Sequence, residues 1–165
     1  MWSGLVTIKE LNHYRENELL YSYKNLKNIL HDEGEKFMLE VCFGLQTRPL
    51  NYYFGLDARS SLSADDTLST IQSEPSINGY QRQFVTSSSF ETIEEQNGTF
   101  QINSPIITFR SDGGSWGPVT NFFLSTSPSS EGLLISSVRL PNSTIVANSE
   151  FISLQLGLSL RDSTS

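Results

Sequence analysis

Cysteine is almost absent from this chain. Cys42 is the sole one in 165 residues, so no disulfide can close within the chain. Its setting, Leu39-Glu40-Val41-Cys42-Phe43, is largely apolar, and the expected role is that of a small buried hydrophobe. Basic charge is also scarce. Eleven Lys and Arg stand against eighteen Asp and Glu, for a net charge of −7. Phosphate binding needs clustered cations, so nucleic acid is not an expected partner. Lysine disappears after Lys36. No apolar run approaches the ~20 residues of a membrane span. Met1-Trp2-Ser3-Gly4 opens without the basic and apolar regions of a signal peptide. The expectation is a protein made in a cytoplasm, with no membrane span.

Catalytic vocabulary is equally thin. The two histidines, His13 and His31, stand among polar and charged residues with no Cys nearby and no His-x₃-His spacing, so they do not form a recognisable metal site. No Gly-x-Ser-x-Gly elbow occurs, and Asp112-Gly113-Gly114-Ser115 reads as a turn. Its glycines are followed by no Lys and no long helix, which excludes a phosphate cradle. The adjacent acids Asp65-Asp66 and Glu94-Glu95 read as solvated turn residues; a glycosidase needs two carboxylates facing each other across a cleft. Calcium held by Asp57, Asp65 and Asp66 fits no known loop spacing. The expectation is therefore no catalytic residue, no cofactor, no metal and no enzyme activity.

What the chain does have is β-pattern. Two runs, 106–109 and 119–124, flank the Gly-, Ser- and Pro-rich joint 110–118, and a third follows at 132–140. β-Branched and aromatic residues fill the runs and turn formers fill the gaps. Trp116, between Ser115 and Gly117, carries a large ring expected to fold over the sheet and cap its core. Further strands are expected at 52–56, 79–85, 90–93 and 99–102, the last two around an Asn97-Gly98 turn. A helical turn is expected at 64–68. Ile152, Leu154, Leu156, Leu158 and Leu160 alternate with Ser153, Gln155, Gly157 and Ser159, which gives one wholly apolar strand face.

The N-terminal part reads differently. Residues 2–8 suggest a short strand or an extended arm. Leu19, Tyr23, Leu26 and Leu30 are spaced by four, three and four, which predicts an amphipathic helix of about four turns. Phe37, Met38 and Val41 predict a second, shorter helix ending near Gly44. The expected organisation is an N-terminal arm with amphipathic helices over 1–48 and a β-sandwich over 49–165. The fold class is mainly β: an antiparallel, jelly-roll-like sandwich of about seven or eight strands with an N-terminal helical segment.

The order of these features resembles a family of small bacteriophage structural proteins, often labelled phage tail fibre proteins. Tyr52-Tyr53-Phe54-Gly55-Leu56 resembles its early aromatic-x-Gly-Leu strand. Glu74-Pro75 followed by Gly79-Tyr80-x-Arg82 resembles its turn and Gly-Tyr-x-Arg strand. Asn103 before Ile106-Ile107-Thr108-Phe109, then Ser115-Trp116-Gly117-Pro118-Val119-Thr120, then Gly132-Leu133-Leu134 complete the series over about residues 50–160. Gly79, Tyr80, Arg82, Trp116 and Gly117 are thus the structural signature.

The resemblance implies a non-enzymatic component of a tailed phage particle, tail-associated or of short-fibre type, on the virion exterior. Capsid decoration is the alternative. Its expected partners are other virion proteins, tail or major capsid, and further copies of itself. Trp2, Leu19, Tyr23, Leu26 and Leu30, with Tyr14 and Tyr21, are the candidate docking residues. A second alternative is a module for host-surface carbohydrate, with Tyr52, Tyr53 and Trp116 stacking on sugar rings.

Overall fold

The computed structural model describes residues 2–94 and 100–162. Among these, the strands are β1 (Trp2–Arg15), β2 (Glu18–Lys27), β3 (Ile29–Leu30), β4 (Asn51–Asp57), β5 (Gln83–Thr86), β6 (Glu91–Glu94), β7 (Phe100–Asn103), β8 (Ile107–Arg110), β9 (Trp116–Ser125), β10 (Leu134–Val146) and β11 (Glu150–Asp162), with one helix, α1 (Asp32–Cys42). They form two antiparallel sheets. The first runs β2-β1-β11-β7-β6, with β8 pairing the early part of β11; the second runs β3-β10-β9-β4-β5.

β11 shows why the sheets pack together. Its two-residue period turns Ile152, Leu154 and Leu156 to one side, where all three are buried. They meet Ile8 and Leu11 of β1 and Phe109 of β8, and from the second sheet Phe54, Leu56, Phe122 and Val138. A smaller cluster, Leu62, Leu68, Ile71, Phe123 and Leu134, lies apart from it.

The two ends of the body differ. At one, the β1–β2 turn, the β10–β11 turn and the end of β8 come together, because Arg15 pairs with Glu150 and Phe151 with Arg110. At the other, β10 begins and α1 packs on it. Gly34 makes that packing possible, since a Cβ there would collide with the Ile135 carbonyl. The helix buries Phe37 and rests Met38 and Val41 on the core. It stops where expected, with Gly44 in the left-handed region at φ 71°.

Several expectations are corrected. The amphipathic helix over 19–30 does not form; those residues make β2 and β3. The half-buried positions of β2 are Leu20, Tyr23 and Leu26, a spacing of three that imitates a helical stripe. Local irregularity produces it. The pairing with β1 shifts register between His13 and Tyr14, and Asn25 takes φ 54°, so the plain alternation of a strand is broken. β1 pairs with β11 from Trp2 to Arg15 and with β2 from Thr7 onward, so residues 2–8, expected as a short strand or an extended arm, are part of a long strand in the first sheet. Among the described residues, 49–165 holds eight strands, β4 to β11, as expected, and the N-terminal part adds β1, β2 and β3 where helix was expected. Cys42 is exposed rather than buried, because α1 turns Phe37, Met38 and Val41 to the core and leaves Cys42 outside. The strand expected at 79–85 is regular only as β5, and the helical turn expected at 64–68 is a 3-10 turn at Leu68–Thr70. The Asn97-Gly98 turn lies outside the described residues.

Candidate functional site

The signature residues come together around Tyr80. Its hydroxyl donates to Glu74 Oε1 at 2.6 Å and accepts the Leu56 N–H at 2.8 Å. Its ring stacks on Phe109 and meets Trp116 edge-on at 5.5 Å. Burial, and then the neighbouring Glu74 carboxylate, hold the phenol far above its ordinary pKa. Arg82 grips Glu74 with two bonds, of 2.9 and 2.8 Å, donates to the Ser127 and Ser129 carbonyls, and lies over the Phe123 ring at 5.0 Å. The Trp116 indole N–H reaches the Ile77 and Asn78 carbonyls. Gly79 lies against Asp112, and Gly117, at φ 138°, precedes a cis peptide bond to Pro118. The bonds to the Leu56 amide and to the Ser127 and Ser129 carbonyls, and those from Trp116 to the Ile77 and Asn78 carbonyls, join one stretch of chain to another, while Glu74 holds Tyr80 and Arg82 together. The arrangement pins the long connection between β4 and β5 to the rest of the body. Trp116 is 3% exposed, so it offers no face to a sugar.

A second polar cluster surrounds Arg59. Its Nη1 bonds Asp66 at 3.1 Å and its Nε lies 3.8 Å from Asp57. Asp66 also accepts the Ser63 N–H and the Thr70 hydroxyl. The Ser63 amide above all, then Thr70 and Arg59, lower its pKa to about 2. Of the acids considered as calcium ligands, Asp57 and Asp66 therefore already face a guanidinium, and Asp65 accepts the Ser63 hydroxyl. Among the described residues no group of three or more His, Cys, Asp and Glu is placed to hold a metal ion.

The histidines are both buried, on opposite ends of the body. His31 bonds the Ser137 hydroxyl at 2.8 Å, and burial lowers its pKa below the ordinary value. His13 bonds Glu150 at 2.7 Å, and the same carboxylate accepts Arg15 Nε at 3.0 Å and the Ala147 N–H at 2.9 Å. One buried acid thus ties the β1–β2 hairpin to the β10–β11 turn. No signal in the sequence marks Glu150 for this work beyond its place just before the C-terminal alternation.

Between β5 and β8 runs a groove of about 280 Å³, lined by Gln83, Phe84, Thr86, Ser89, Pro105 and Ile106 together with Val85, Ile107 and Thr108. None of these side chains ionises, so the groove has no group for acid–base work. It presents exposed apolar surface instead, with Phe84 64% and Ile106 71% exposed.

More apolar surface is exposed at the α1 end: Leu39, Phe43, Leu45 and Leu50 on the helix and the loop after it. The expected docking residues do not share a face. Leu19, half exposed, sits opposite Tyr14 on the outer side of the first sheet, whereas Tyr23, Leu26 and Leu30 pack against the core. Tyr14 stacks on Phe151 at 4.9 Å and Tyr21 lies beside His13. Trp2 begins β1 opposite Asp162; its side chain lies outside the described residues. Of the aromatics considered for sugar stacking, Tyr52 is half-buried against Phe37 and Phe90, and Tyr53 is half-buried beside Phe84. No helix among the described residues is long and apolar enough to cross a membrane. Comparisons with protein-family models, curated proteins and solved structures found no match to this chain.

Proposed function

We propose that this protein is a non-enzymatic structural subunit of a tailed phage particle, tail-associated or of short-fibre type, with a jelly-roll-like body and an apolar end that joins it to neighbouring subunits on the virion exterior. One observation carries the non-catalytic, joining part of this reading. The buried polar groups around Tyr80, Arg59 and Glu150 bond one part of the backbone to another, while large apolar side chains are left outside on the helix, on the loop after it and along the β5–β8 groove. Burial of such surface between subunits is what holds an assembly together. The phage setting rests on the motif series from Tyr52 to Leu134.

The test is retention on particles. Expressed with an epitope tag during infection by the phage that encodes it, the chain is expected to sediment with intact particles through a density gradient and to stay with them after high-salt washing. A chain found wholly in the soluble fraction of the lysate would overturn the reading.

A further inference from the structure

We propose that the α1 end is a self-docking surface, at which two copies of this chain meet about a two-fold axis through Leu39, Phe43 and Leu45. The inner face of α1 is spent on its own core through Phe37, Met38 and Val41. Leu39 and Phe43 stand four residues apart on the other side, 54% and 75% exposed. The chain then turns back. Leu45 N–H and Gln46 N–H both donate to the Glu40 carbonyl, at 2.8 and 3.2 Å, which brings Leu45, 81% exposed, beside the helix end. With Leu50 on the same loop, the open apolar area is roughly 500 Å², taking ~200 Å² for a fully exposed large side chain. Paired with itself it buries roughly 1,000 Å² in total, the size at which a specific interface begins.

Charge selects the occupant. A chain of net charge −7 repels its own copies over most of its surface. At this end the charges nearly balance: Asp32, Glu35 and Glu40 against Lys36 and Arg48, with Lys36 3.7 Å from Glu40. A patch of small local charge, carrying both signs on its rim, is where like-charged copies can approach most closely. An isologous pair sets the same residues against one another, and this rim tolerates that.

The proposal rests on the reading of the chain as an assembly subunit, but it is tested on the isolated protein, so the two can fail separately. Cys42, exposed beside Phe43, is a built-in reporter. In reducing buffer, sedimentation equilibrium is expected to give twice the chain mass at high concentration, and a short bis-maleimide is expected to join Cys42 to Cys42 of the second copy. Phe43→Asp and Leu45→Asp are expected to weaken self-association by about 30-fold or more, with an unchanged circular dichroism spectrum. The control carries Cys42→Ser with Asn17→Cys, in the turn at the opposite end, and is expected not to cross-link. A wild-type chain that stays monomeric, or a dimer that survives both substitutions or cross-links equally at position 17, would overturn the proposal. If particle retention persists in that case, only the self-docking idea is lost.

Discussion

Replacing Glu150 with Gln tests how the two hairpins at one end of the body are held. The carboxylate is 2% exposed and accepts bonds from His13, Arg15 and the Ala147 amide. Arg15 is 62% exposed in its side chain, so its ion pair contributes only ~0–1 kcal/mol. The other two bonds, one buried and one part-buried, end on a charged acceptor, worth ~1.5–3 kcal/mol each. A Gln side chain keeps one accepting oxygen and turns an amide donor toward the remaining donors. The expected loss is about 3 kcal/mol at neutral pH, a large share of the ~5–15 kcal/mol that holds a typical domain folded. The assay is urea unfolding of both proteins over a range of pH. Burial alone would raise the Glu150 pKa, but the Ala147 amide, Arg15 and His13 outweigh it and the net shift is downward from 4.5. A lowered carboxyl pKa stabilises the fold above the unfolded value and loses that contribution as pH falls through the folded one. The gap between wild type and variant should therefore be full at pH 7, begin to shrink as pH falls to 4.5, the unfolded value, and close only further below it. A gap under ~1 kcal/mol at pH 7, or one that does not change with pH, would refute the reasoning.

Other positions give independent checks. Tyr80→Phe removes the acceptor of a part-buried Leu56 N–H and the donor to Glu74, and is expected to cost ~1–3 kcal/mol in denaturant unfolding. Arg82→Lys keeps the charge but not the two-pronged grip on Glu74 or the bonds to the Ser127 and Ser129 carbonyls. It should lower the midpoint by a similar amount, whereas Arg110→Lys on the exposed end of β8 should do nothing measurable. Gly34→Ala forces α1 off the Ile135 carbonyl and is expected to cost ~1–3 kcal/mol, with earlier exchange of the helix amides. His31, with its pKa lowered by burial, stays neutral when folded, so stability should begin to fall as pH drops below 6.5, the unfolded value; His31→Gln should remove that part of the slope. An NMR titration in which the His31 ring takes up its proton at the ordinary pKa would refute it.

The parts of the fold that announce themselves in the sequence are those with an undisturbed period. β11 alternates from Ile152 to Leu156 without a break, and β9, β10 and β4 fall on the β-branched and aromatic runs. β2 was hidden by its irregular pairing, which sets Leu20, Tyr23 and Leu26 at intervals of three and copies the spacing of a helix. Period alone cannot separate the two when a strand is bulged. Tyr80, Arg82 and Trp116 could be singled out by their motifs, but their partners could not. Asn78 and Trp116 are separated by 38 residues, and His13 and Glu150 by 137; contacts of that range belong to topology, not to local pattern. The exposed residues after α1 were legible only as apolar. That Leu39 lies outside follows from which face of the helix Gly34 lets onto β10, and Leu45 is placed by its bond to the Glu40 carbonyl.

Hydrogen–deuterium exchange of the chain, as a dilute monomer and then with the particle to which the proposed function assigns it, tests most directly whether its apolar end is a joining surface. The account predicts that residues 39–50 gain protection on assembly, while the groups around Tyr80 and Glu150, already closed within the chain, exchange as before. Unchanged exchange over 39–50 with new protection at the β1–β2 turn would contradict it.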